Sequence, residues 1–109
     1  MSSPDGPRKL VLSPAARQDF IDILRYTGET WGRGQILVYR DKLDEALQRI
    51  SRHRGLGHRS PELPETHRLY PVGSHVIVYR DQQAVVAVVR ILHQRMSLTR
   101  RVQGRSDDL

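Results

Sequence analysis

Cysteine is absent from the 109-residue chain, which removes disulfides, thiolate metal sites and thiol nucleophiles together. No apolar run approaches the ~20 residues that a membrane-spanning helix requires. Aromatic residues are few: Phe20, Trp31 and four tyrosines, too scattered for a base-stacking platform. No GxSxG, P-loop or GxGxxG motif occurs. Met1 to Pro7 is polar and lacks the apolar stretch of a signal peptide. These absences lead to the expectation of a soluble, cytoplasmic, cofactor-free protein of one domain, with no membrane partner.

What is present is arginine. The chain carries 18 basic and 12 acidic residues, a net charge of +6. Residues 1–50 hold 8 cations and 7 anions, whereas residues 51–106 hold 10 and 3. A basic second half attracts anionic partners, either nucleic acid or an acidic protein segment.

Lys9 to Leu12 suits a short strand. Ser13-Pro14 starts a helix, serine as N-cap and proline in the first turn. Ala16, Phe20, Ile23, Leu24 and Thr27 form its apolar stripe, with Arg17, Asp19, Asp22 and Arg25 pointing elsewhere, and Gly28 marks its stop. Glu29 to Gly34 reads as a tight connection. A second helix follows, with Ile36, Tyr39, Leu43, Ala46, Leu47 and Ile50 on one face. Ser51 to Glu65 reads as a surface loop. Strand patterns then cover His67–Tyr70, His75–Arg80 and the apolar run Ala84–Leu92, separated by turns at Pro71–Gly73 and Asp81–Gln83. The apolar run suits a strand covered on both faces. The predicted fold is α+β, ordered β-α-α-β-β-β: a helical hairpin packed on one face of a small, mainly antiparallel sheet. Residues 1–8 are a flexible leader, 9–96 the domain, and 97–109 a basic, flexible tail.

Chemistry has few places to reside. The five histidines match no metal-ligand spacing. Asp19 and Asp22, one turn apart, read as solvated or paired with Arg25. Arg80, Arg90, His93 and Arg95 are expected to gather where two paired strands end, with Arg68 and His75 joining them in a suitable register. Such a ring of guanidinium and imidazole groups binds phosphate, or stabilises an oxyanion in RNA cleavage. The alternative is structural pairing. Arg90 in particular, inside an apolar run, needs a carboxylate or another acceptor.

The ordered set of motifs resembles the ParE toxins of the RelE/ParE superfamily, from about Leu10 to Met96. It comprises Leu12-Ser-Pro-Ala-Ala, Asp19-Phe-Ile-Asp-Ile, Tyr26-Thr-Gly-Glu-Thr-Trp-Gly32 and Tyr39-Arg-Asp-Lys-Leu43. It continues through Gly57-His-Arg, Arg68-Leu-Tyr-Pro-Val-Gly-Ser-His-Val-Ile-Val-Tyr-Arg80 and Val89-Arg-Ile-Leu-His-Gln-Arg-Met96. Ser97 departs from the family's usual aspartate. The resemblance implies a type II toxin that inhibits DNA gyrase by binding it, without catalysis, and that a ParD-like antitoxin neutralises in a hetero-oligomer. Plasmid stabilisation and growth inhibition are the associated roles.

Related RelE-type toxins imply an alternative, a ribosome-dependent mRNA endonuclease using Arg68, Arg80, Arg90, His93 and Arg95. Those nucleases place a tyrosine or histidine base near the C-terminus, and Ser97 to Leu109 contains neither. Expected antitoxin contacts are Leu37, Val38, Arg80, Arg90 and Arg95. Expected gyrase contacts are His93, Arg95, Arg100 and Arg101, with an indirect contact to gyrase-bound DNA.

Overall fold

The computed structural model describes residues 8–53 and 55–95. The order is β1 (Lys9–Leu12), α1 (Pro14–Trp31), α2 (Arg33–Arg52), β2 (His67–Val72), β3 (His75–Asp81) and β4 (Val85–His93). This is the α+β arrangement expected. The sheet order is β1-β4-β3-β2. β4 pairs antiparallel with β3 and parallel with β1, so the apolar run lies inside the sheet.

Local chemistry explains the boundaries. The Ser13 hydroxyl accepts from the Ala16 amide at 3.0 Å, capping α1 in the manner its Ser-Pro start implies. The helix does not stop at Gly28. It runs three residues further, and Gly28 is the point of closest approach to α2: a β-carbon there would lie 2.6 Å from the Ile36 side chain. Its missing side chain serves helix crossing instead of termination. The whole connection is Gly32, at φ +95°, a conformation that favours glycine. Similarly, Pro71 and Val72 extend β2, and the turn is made by Gly73 and Ser74.

Two apolar clusters sandwich the sheet. Leu43, Ala46, Leu47 and Ile50 of α2 and Ala16 and Ile23 of α1 pack on Ile77, Tyr79, Val86, Val88 and Ile91. The alternate side chains Val76, Val78 and Leu92 join Leu63, with Leu69 and Val89 against them. The 51–65 stretch therefore does more than loop over the surface. Its first two residues finish α2, and its Leu63 covers the second face. Across from Val78 and Tyr79, β4 supplies Arg90 and Val88, leaving Val89 as an extra residue. This bulge shifts the alternation by one, which turns Ile91 toward the helices.

Arg8 corrects the expected leader. Its side chain is 5% exposed and pairs with Asp81. It also donates to the carbonyls of Ile50 (2.8 Å), Gln82 (3.0 Å) and Ser51 (3.3 Å). A cation at the end of α2 meets its last carbonyls and its dipole. Asp81 in turn accepts from Gly55 at 3.0 Å and lies 3.5 Å from Arg68. One guanidinium thus ties the start of β1 to the ends of α2 and β3. The rest of the leader and the 97–109 tail lie outside the described residues.

Candidate functional site

Antiparallel pairing of β3 and β4 decides where the basic side chains fall. His75 pairs with His93, and Arg80 with Ala87. His75 and Arg80 are five residues apart on one strand, about 17 Å at the usual rise. The expected gathering of Arg80 with Arg90, His93 and Arg95 therefore does not form. Two separate groups take its place.

The first surrounds the end of β3. Arg80 is exposed and lies across from His67. Burial, and then the charge of Arg80, hold the His67 imidazole below its ordinary pKa. Arg68 turns inward, donating to the Gly57 carbonyl at 2.9 Å and approaching Asp81.

The second lies at the other end of the sheet. The Tyr39 hydroxyl sits 2.6 Å from Nδ1 of His75 and accepts from the Ser74 amide at 3.1 Å. The His75 and His93 rings meet edge to face, centroids 5.4 Å apart. Nδ1 of His93 accepts from the Arg95 amide at 3.2 Å. Burial, with lesser help from His93, lowers the His75 pKa, while Asp19 acts in the opposite direction. Burial raises the Tyr39 pKa, so the phenol keeps its proton and can donate it to His75. His93 is half-buried, and Arg95 is exposed beside it.

Arg90 belongs to neither surface group. Its Nε and one terminal nitrogen donate to the two Asp19 oxygens at 2.7 and 2.9 Å, a bidentate pair with side chains 17% and 13% exposed. That hydrogen-bonded pairing raises the Arg90 pKa. Asp19 also accepts the Ile91 amide at 2.9 Å. The acceptor that Arg90 required is this carboxylate, so Asp19 is not a solvated surface residue. A signal was available: Asp19 stands three residues after Ala16 and four before Ile23, on the margin of the buried stripe. Arg8 and Asp81 were also missed, and nothing in their local sequence announces a contact 73 positions apart.

Leu37 and Val38 are 56% and 52% exposed on α2. Trp31 and Tyr26 are exposed as well, at 69% and 63%. Arg100 and Arg101 lie outside the described residues. Among the described residues, no three His, Asp or Glu side chains group as metal ligands, and no helix is long and apolar enough to cross a membrane.

The geometry is that of a scaffold with exposed apolar helix residues and divided basic groups. The sequence model of the family described as "ParE toxin of type II toxin-antitoxin system, parDE" matches residues 10–98. The chain belongs to the ParE toxin family. It is 35% identical over 86 residues to Toxin ParE1 of Caulobacter vibrioides, covering 79% of this chain and 88% of that relative. It is 33% identical over 93 residues to Toxin ParE1 of Mycobacterium tuberculosis, covering 84% and 95%. Among solved structures it resembles a chain of the chromosomal ParDE system from P. aeruginosa, with TM-score 0.68, 15% identity and coverage of 79% and 95%. It also resembles a chain of the RelBE2 toxin-antitoxin complex from Mycobacterium tuberculosis, with TM-score 0.56, 19% identity and coverage of 84% and 95%. The solved structures share the fold.

Asp19→Ala leaves Arg90 without its carboxylate and the Ile91 amide without its acceptor. Urea unfolding should show a loss of about 3 kcal/mol, as for other broken buried pairs; a loss under about 0.5 kcal/mol would contradict the assignment.

Because the His75 pKa is lower in the folded chain than the ordinary 6.5, the unfolded chain takes up its proton first as pH falls. Stability is therefore fully present above 6.5 and declines as pH drops below it, down to the folded-state pKa. In thermal unfolding across this range, His75→Gln should show a shallower decline than the parent chain. An unchanged slope would show that His75 is not depressed.

Proposed function

We propose that this chain is the toxin of a two-gene module, that it inhibits DNA gyrase by binding it, and that an acidic, amphipathic ParD-like antitoxin holds it inactive in the cytoplasm. The observation that carries this reading is the family match over residues 10–98, nearly the entire folded domain. The divided basic groups add support for binding over catalysis. Phosphoryl transfer requires acid, base and anion-stabilising groups around one reacting atom, whereas Arg80 and His93 stand at opposite ends of the sheet.

The antitoxin's chemistry follows from what it must cover. Leu37 and Val38 offer apolar contacts on α2, and Arg80 and Arg95 offer exposed cations to its carboxylates. Arg90 contributes indirectly: it is held by Asp19 and so positions the end of β4, which carries His93 and Arg95 toward gyrase. A segment that folds onto such a surface can be recruited by charge and retained by apolar burial.

Likeness to the RelBE2 structure and the pairing of His93 with His75 beside Arg95 favour a second reading, message cleavage on the ribosome. The two separate in one reconstituted experiment. Purified chain is added to gyrase and relaxed plasmid without ribosomes, and in parallel to a translating extract. Binding to gyrase predicts lost supercoiling, intact transcripts, and recovery when antitoxin is added. Normal supercoiling at saturating chain would overturn the proposal. New message ends that vanish with His93→Ala would establish the alternative.

A further inference from the structure

A strongly basic stretch bends around one end of the sheet. From Ala46 to Pro61 the sequence has four arginines, two histidines and no acidic residue. Arg49 and Arg52 lie one turn apart on the exposed side of α2, and His53, also exposed, ends the helix. His58 bridges to Leu69 of β2, with Arg59 exposed beside it. Arg80 stands across from His67. The Arg8 clasp draws these pieces together. Its guanidinium meets the Ser51 carbonyl and the Asp81 carboxylate, and Arg52 and Arg80 are the chain neighbours of those two partners. The Gly55 amide is tied to the same Asp81. The end of α2, the turn after it, the start of β2 and the end of β3 therefore share one rim.

The fold does not use up these cations. Arg8 already serves the last carbonyls of α2, Ile50 and Ser51, so Arg49 and Arg52 are not required there. The Asp81 carboxylate is held by Arg8 and Arg68. Among the described residues, Arg49, Arg52, Arg59 and Arg80 are exposed and enter no ion pair.

The rim's chemistry identifies what it fits. Among the described residues, the large apolar side chains that are exposed all precede Arg40: Val11, Ile21, Tyr26, Trp31, Leu37 and Val38. A peptide that folds on binding needs apolar anchors, and these lie elsewhere. Tyr79 is fully buried and Tyr70 half-buried, so the rim presents no open ring on which an unpaired base could stack. Guanidinium forks and imidazole N–H groups without apolar ground match the phosphate backbone of a duplex.

We infer that this rim binds the sugar-phosphate backbone of double-stranded DNA directly and without regard to sequence. The inference stands apart from the gyrase reading, since it calls for DNA and this chain alone. Arg80, shared with the proposed antitoxin contact, lies at the rim's margin. Four guanidiniums on four phosphates release a similar number of condensed counterions. Affinity should therefore fall steeply with salt, with a log–log slope of about −3 to −4.

The test is fluorescence anisotropy of the full chain with a short labelled DNA duplex, without gyrase or antitoxin, over a range of salt. The expected result is binding with that slope, equal for two duplexes of scrambled sequence. Arg52→Ala combined with Arg59→Ala should weaken binding about tenfold or more and flatten the slope by about 2. Arg25→Ala combined with Arg40→Ala removes the same net charge from the helical hairpin and should weaken binding less than about threefold. The substituted side chains are exposed, so unchanged unfolding midpoints verify the fold. Arg59→Glu, in the turn beyond α2, should repeat the loss without touching a helix. No binding at the lowest salt, or equal losses in the two double variants, would overturn the inference. So would tighter binding of a single-stranded RNA, or of polyglutamate as an acidic peptide, than of the duplex.

Discussion

The position of α1 rests on one carboxylate. β4 spans nine residues and β1 four, so β1 pairs only with Val85 to Val88. Beyond that point no strand among the described residues lies beside the outer edge of β4. Asp19 supplies the missing acceptor for the Ile91 amide and compensates the Arg90 charge with the same two oxygens. Ser13 acts a little earlier, its amide donating to Val88 and its hydroxyl to Val89. Together these bonds lay the first turns of α1 along the strand edge. A buried hydrogen-bond donor or a cation left alone there would be costly, and each removes the other's problem through Asp19.

Everything displayed at that end of the sheet depends on this clasp. With the end of β4 held, His93 meets His75, Tyr39 bridges from α2, and Gln94 closes on the β2–β3 turn through the Ser74 and Gly73 carbonyls, both at 2.9 Å. Arg95 leaves from this fixed base. A second clasp, Arg8 with Asp81, works at the opposite end and holds the turn carrying Gly55. The proposed docking mechanism calls for such rigidity beneath a contact surface, since a flexible surface loses conformational entropy on binding.

Much of this was legible in the residues. Ser13-Pro14, the two helical stripes and the apolar run of β4 each have a local physical cause, and each folded as its pattern implies. Gly28 misled because a glycine that lets two helices touch looks like one that ends a helix. Only the neighbour, Ile36, distinguishes them. The gathered basic cluster failed for another reason: antiparallel register sends residues close in pattern to opposite ends of a strand. Asp19 had a helical-spacing signal that its charge obscured, and Arg8 had none, because its partners are assembled only by the tertiary fold. The exposure of Leu37 and Val38 was legible because both fall outside their helix's apolar stripe.

A scaffold that works by occupying its target must be present in proportion to that target. The decisive measurement is the ratio of chain to gyrase at which supercoiling stops, followed over time. A binding mechanism predicts an endpoint near equimolar that does not drift, reversed when antitoxin withdraws the chain. Complete inhibition by a small fraction of an equivalent, deepening with time and persisting after antitoxin is added, would show turnover and contradict it.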